Sequence, residues 1–297
     1  NQPAEQTDLQ GGTAEAIGRY IERNLPKDQS LSPVVISIKE LKLTETATAN
    51  ERVDGHVKLS LSFSLQKDYG VEHLVDYHGG LHYIRTINNT SAIEPRLRTL
   101  LTSALVYFND WMKTNTNDNR KLAKNVQFSF TDYADKIEGD TIYYAANRPL
   151  TWADFQSPTK PPGRFEAEVM PGFGYGQQAE VVSGTVKVNI AMKTFVPKSA
   201  CWANYTGRDA YALNHEQRHF DIAKIIAGQF KQKILAAKLS PDDYEGFINV
   251  QYFDSYRDMD TMQKAYDKET DHGTNRFAQA EWNDRIDREL KKFSEIE

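Results

Sequence analysis

The stretch Ala212-Leu213-Asn214-His215-Glu216-Gln217-Arg218-His219-Phe220-Asp221-Ile222-Ala223 lies in a helical pattern that runs on to Phe230. Two His residues at i and i+4 stand one above the other on a single helix face. Both imidazoles can therefore reach one ion held about 2.0–2.1 Å from each nitrogen. Glu216 follows the first of them a quarter-turn round the helix, where its carboxylate can take a proton from a water polarised by that ion. The chain holds seven His, so a chance match to this spacing is expected on the order of once in a hundred such chains. Arg218 places a charge where such helices usually carry none, and Asp221 takes a position that is usually apolar. Asp221 is instead a candidate to orient a ligand imidazole.

An open, water-binding site needs a third protein ligand. His272 is the candidate, in Tyr266-Asp267-Lys268-Glu269-Thr270-Asp271-His272-Gly273, at the end of a helix expected to start after Ser240-Pro241 and to stop at Gly273. Glu269 is the alternative third ligand, with Asp267 and Asp271 behind it. Asp267 and Asp271 are also candidates to orient the imidazoles. Tyr266 is a candidate donor to an oxyanion, set against the commoner use of a helical Tyr in packing.

Composition narrows the chemistry further. The 297 residues carry 36 Lys+Arg against 41 Asp+Glu, a net charge of −5, with 39% hydrophobic residues and one Cys. A single thiol, Cys201, excludes an internal disulfide and a multi-Cys zinc cage, leaving imidazole and carboxylate as metal ligands. No dense basic block argues for nucleic acid or anionic lipid as a partner. No stretch approaches the ~20 apolar residues of a membrane span. The apolar content predicts a folded protein of about two domains.

Residues Asn1–Gly12 are polar and suggest a poorly ordered lead-in, followed by a short helix with Ile17, Tyr20 and Ile21 on its apolar face and Pro26 beyond it. The period then becomes two. Val34, Ile36 and Ile38 alternate; Val57, Leu59, Leu61, Phe63 and Leu65 alternate with polar residues; a third strand is expected over Leu81–Thr86. Ser91, Glu94 and Pro95 mark a helix start, with Leu97, Leu100, Leu101, Leu105, Phe108 and Trp111 as its core face. Val126–Phe130 and Ile142–Tyr144 are further strand candidates. The Pro-rich region from Pro149 to Pro162 suggests a boundary, with one domain over 1–147 and another over 148–297. Gly172–Gly176 suggests a loop or bulge, and Val181–Ile190 a sheet edge on which an extended peptide could lie.

Other features point to structure. His73, His78 and His82 suggest a second metal site, but Tyr77–His82 contains no carboxylate, and His residues four apart on a strand are about 13 Å apart, too far for one ion. His56 likewise shows no chemistry in sequence terms, and Cys201 is expected as a buried bystander.

Three blocks together resemble a bacterial family of unknown function described as predicted secreted zinc-dependent proteases: Leu150–Phe155, Leu213–Ala223 and Tyr266–Gly273, followed by Gln279 and Trp282. The resemblance covers about residues 148–295 and implies that His215, His219 and His272 belong to its metal-site pattern, with Asp221 and Thr270 as further pattern residues. The expected fold is α+β: an N-terminal β-rich domain with one long helix, then a zincin-like α+β domain with a site-bearing helix and long C-terminal helices. The expected function is that of a zinc metallopeptidase acting on a peptide or protein, with Zn²⁺ as cofactor and Glu216 as general base. A zinc-binding envelope module without turnover, or a zinc amidase acting on a cell-wall amide, are the alternatives. The resemblance and a start without Met suggest a secreted or periplasmic protein. Oligomeric state is not legible in the sequence.

Overall fold

Period-two alternation builds the first of two compact units, Asn1–Thr116. The computed structural model describes residues 9–25, 28, 30–134, 137–160 and 166–294. Most of the polar lead-in, Pro26, Pro161 and Pro162 lie outside the described residues.

In this unit helix α1 (Thr13–Asn24) precedes strands β1 (Val34–Thr48), β2 (Arg52–Lys67) and β3 (Gly70–Thr86), and helix α2 (Ile93–Asn115) follows them. The strands form an antiparallel sheet in the order β1-β2-β3. Val57, Leu59, Leu61 and Phe63 of β2 are buried against Ile17 of α1 and Leu100, Leu101 and Ala104 of α2. Burial of side chains of this size contributes about 1.5–3 kcal/mol each. Strand β3 begins well before the expected Leu81, because its first half carries His73, Asp76 and His78 in place of an apolar alternation and is held by the ladder to β2. The helix-start signature is only partly used: Ser91 donates its hydroxyl to Asn89 Oδ1 at 2.7 Å, leaving the first turn of α2 without a side-chain cap.

The second unit, Asn117–Glu297, contains β4 (Asn125–Asp132), β5 (Thr141–Tyr143), β6 (Ala167–Glu168), β7 (Gly172–Val182), β8 (Thr185–Pro197), β9 (Trp202–Ala203), α3 (Ala210–Ala236), α4 (Tyr244–Thr270) and α5 (Arg276–Ser294). Strand β8 is central: β4 runs parallel to it on one side with β5 further along, and β7 runs antiparallel on the other. Ser183 and Gly184, with φ of 50° and 72°, close the β7–β8 hairpin with left-handed residues, as a two-residue turn demands. Helix α3 buries Ala223, Ile226, Ala227 and Phe230 against Val186, Val188 and Ile190 of β8. No helix of the described residues is long and apolar enough to cross a membrane.

The α+β class holds, but three local expectations are overturned here. The division between units falls at Thr116/Asn117, not at 147, because β4 and β5 pair with β8. Leu150 and Phe155 from the Pro-rich region are core residues packed with Ile142, Val196 and Phe220. Gly172–Gly176 forms the first half of β7; at Gly172 a Cβ would stand 3.1 Å from the Phe195 ring, which explains a small residue there. Residues Val181–Ile190 are not one edge strand: Val181 and Val182 end β7, and the β8 part beyond the turn is paired on both sides.

Candidate metal centre

Asp209 caps α3 by accepting a hydrogen bond from Ala212 N at 2.7 Å, and the helix then carries His215, Glu216 and His219 into the unit on one buried face. Helix α4 brings Asp267 against them. Its Oδ1 lies 3.4 Å from His215 Nε2 and 3.0 Å from His219 Nε2. The ligand atoms of His215, His219 and Asp267 all lie within 4.8 Å of one another.

Each imidazole is gripped at its other nitrogen. Gln279 Oε1 of α5 accepts from His215 Nδ1 at 2.9 Å, and Gln263 Oε1 of α4 accepts from His219 Nδ1 at 2.5 Å. A proton held at Nδ1 leaves Nε2 as the nitrogen that faces Asp267 and is available to a metal ion, the orientation that metal-ligating His residues require. Gln263 also donates to the His219 backbone carbonyl at 2.9 Å, so ring and main chain are set by one side chain. The Tyr266 ring stacks on His215 with centroids 4.8 Å apart.

Glu216 is buried, and its Oε2 accepts from Val169 N at 2.9 Å. Burial raises its pKa, with the neighbouring imidazoles pulling the other way. Burial also pushes Asp267 upward, yet the two hydrogen-bonded imidazoles prevail and hold it well below the usual carboxylate range. For His219 burial opposes the charged form, and the Asp267 carboxylate outweighs it and raises the pKa. The trio borders a cleft of about 920 Å³ that is also lined by Val169, Met170 and His272.

The remaining expected residues are placed differently. His272 lines the cleft but stands outside the trio: it is 45% exposed, with Nδ1 3.6 Å from Asp267 Oδ1. The helix ends at Thr270, two residues short of His272. Asp271, His272 and Gly273 are all left-handed, with φ of 50°, 50° and 81°. Gly273 presses on the site, since a Cβ there would sit 3.2 Å from the His215 ring. Glu269 points away, its Oε2 accepting from Trp282 Nε1 at 2.8 Å. Tyr266 is fully buried; its hydroxyl donates to the His215 carbonyl at 3.2 Å and accepts from Gln279 Nε2 at 2.7 Å, so it positions His215 and does not face the cleft. Asp221 touches neither imidazole. It accepts from Tyr144, Gln217 and Arg218. Cys201 is a buried bystander whose thiol donates to Pro197 O at 3.1 Å, and burial pushes it up to about 11.

Gln263 has no counterpart in the sequence reading, although its spacing of four residues from Asp267 puts both on one helix face. The donor set of two imidazole nitrogens and a carboxylate, each imidazole held at its far nitrogen, fits a divalent metal ion. Fold and site together define an α+β protein with a His-Glu-x-x-His helix and a candidate His/His/Asp metal centre. Residues 162–273 match a family described as bacterial protein of unknown function (DUF922), a span that contains the complete trio. No curated protein and no solved structure matches the chain.

Proposed function

We propose that this protein is a zinc-dependent metallopeptidase of the bacterial cell envelope, with His215, His219 and Asp267 holding the ion. The observation that carries it is Glu216: buried beside both imidazoles, with one oxygen pinned by Val169 N–H and no hydrogen bond to the other among the described residues. Zinc, when bound there, supplies a Lewis acid that polarises a carbonyl and acidifies a water. The free oxygen of Glu216 takes the proton of the attacking water and delivers it to the leaving amine. Val169 N–H keeps the carboxylate from rotating out of reach, and Gln263 and Gln279 hold the imidazoles in register. Glu166, Glu168, Asp209, Asp260 and Asp271 line the cleft, and no Lys or Arg does so among the described residues, so peptides bearing cationic side chains fit best.

A second reading has its own support. Asp267 Oδ1 is within hydrogen-bonding distance of His219 Nε2, so the cluster can hold together as an imidazole–carboxylate contact in a binding module without turnover. Glu216→Gln separates the two. The variant should retain zinc and lose about 10²–10⁴-fold in cleavage of a Lys/Arg-containing peptide library, the usual contribution of a general base. A zinc-loaded wild-type protein that leaves the library untouched defeats the peptidase reading; cell-wall fragments in the same assay test the amide alternative.

A further inference from the structure

Strands β2 and β3 place His56 directly opposite His82 in their antiparallel ladder. Alternation along β2 buries Val53, Gly55 and Val57 on one face and turns Asp54 and His56 to the other. Asp54 is therefore the same-face neighbour of His56, two residues back. Its Oδ1 lies 2.8 Å from His82 Nε2 and 3.6 Å from His56 Nδ1, and the imidazole rings are 4.7 Å apart. One ligand atom from each of the three residues falls within 4.8 Å of the other two.

We infer that Asp54, His56 and His82 form a second metal site, on the sheet of the first unit, that takes a divalent transition-metal ion such as zinc. Ligand atoms about 2.1 Å from a tetrahedral ion are about 3.4 Å from one another, so small side-chain rotations carry the observed separations to a coordinating set. Two imidazoles and one carboxylate match the borderline ligand preference of zinc and its neighbours. The side chains of His56, His82 and Asp54 are 59%, 51% and 38% exposed, so an ion enters from solution and water completes its coordination. The sequence conceals the site because no carboxylate lies within four residues of His82; Asp54 of the neighbouring strand supplies it. This site is independent of the candidate centre on α3.

Zinc titration of the full chain, read by calorimetry and by competition with a chromogenic chelator, tests the assignment. Relative to the wild type, His56→Gln/His82→Gln should lose one equivalent of bound zinc, and Asp54→Asn should weaken that equivalent at least tenfold. His215→Gln/His219→Gln should leave it in place, which keeps the outcome separate from the fate of the other centre. The positions are at the surface, and an unchanged circular dichroism spectrum verifies folding. Equal zinc stoichiometry in wild type and His56→Gln/His82→Gln overturns the site, as does loss of the equivalent in His73→Gln/His78→Gln.

Discussion

At the residue scale, the His-Glu-x-x-His spacing placed two imidazoles together beside a buried carboxylate, because the helical repeat alone sets which side chains share a face. The third member was not legible in the same way. Asp267, Glu269, Asp271 and His272 are near neighbours in sequence, and only the point at which α4 stops decides among them. With the helix ending at Thr270, Asp267 faces α3, Glu269 is taken by Trp282, and His272 is displaced into a left-handed turn. The gripping amides then become the most informative target. Gln279 is buried and joins His215 Nδ1, the Tyr266 hydroxyl and Asn283. Gln279→Ala should weaken zinc binding at the α3 centre by about 10–100-fold, as loss of an imidazole's outer partner does, and Gln279→Glu, which restores an acceptor, should recover part of it. Chelator competition reads both; an unaltered affinity in Gln279→Ala would show that the ring needs no such support.

At the element scale, long amphipathic patterns were readable and pairing was not. The alternating residues of β2 and the apolar face of α2 are the core of the first unit, and the helix around His215 exists with an Asp209 cap and a longer C-terminal end than its pattern implied. Strand β4, by contrast, finds a parallel partner far along the chain in β8. Parallel strands need a long crossover, so neither the partner nor the register leaves a local mark. Helix α3 links these elements to the site, since Phe230 on the same helix packs among Phe173, Tyr175 and Tyr252. Phe230→Ala should destabilise the second unit by about 3–5 kcal/mol, measured by urea unfolding, because the cavity sits between sheet and helices that cannot collapse together.

At the scale of the whole molecule, charge and connectivity meet at Arg148. Its guanidinium bonds Glu138 on one side and Asp154 on the other, and also donates to the Pro149 carbonyl. The hydrogen bonds from Arg148 and Lys198 hold Glu138 down at about 2, against its ordinary 4.5. A carboxylate with a depressed pKa adds stability that is fully present above the unfolded value and is lost as pH falls through the folded one. Acid unfolding of the wild type should therefore include a loss between about pH 4.5 and 2 that is reduced in Glu138→Gln; identical acid profiles would show the clamp to be inert. The same clamp explains why residues 148–155, where the Pro-rich stretch begins, are not a linker: Pro149 and its neighbours are tied into the second unit by a hydrogen-bonded cation and by the buried Leu150 and Phe155. The sequence by itself determined the α+β class, the helix carrying His215, Glu216 and His219, and the restriction of any metal to imidazole and carboxylate ligands, because periodicity and residue chemistry are local properties. Tertiary structure alone decided that Asp267 closes the trio, that β4 and β5 belong with β8, and that His56 meets His82 beside Asp54. Those outcomes depend on which strands pair and where a helix ends, and contacts between distant segments set both.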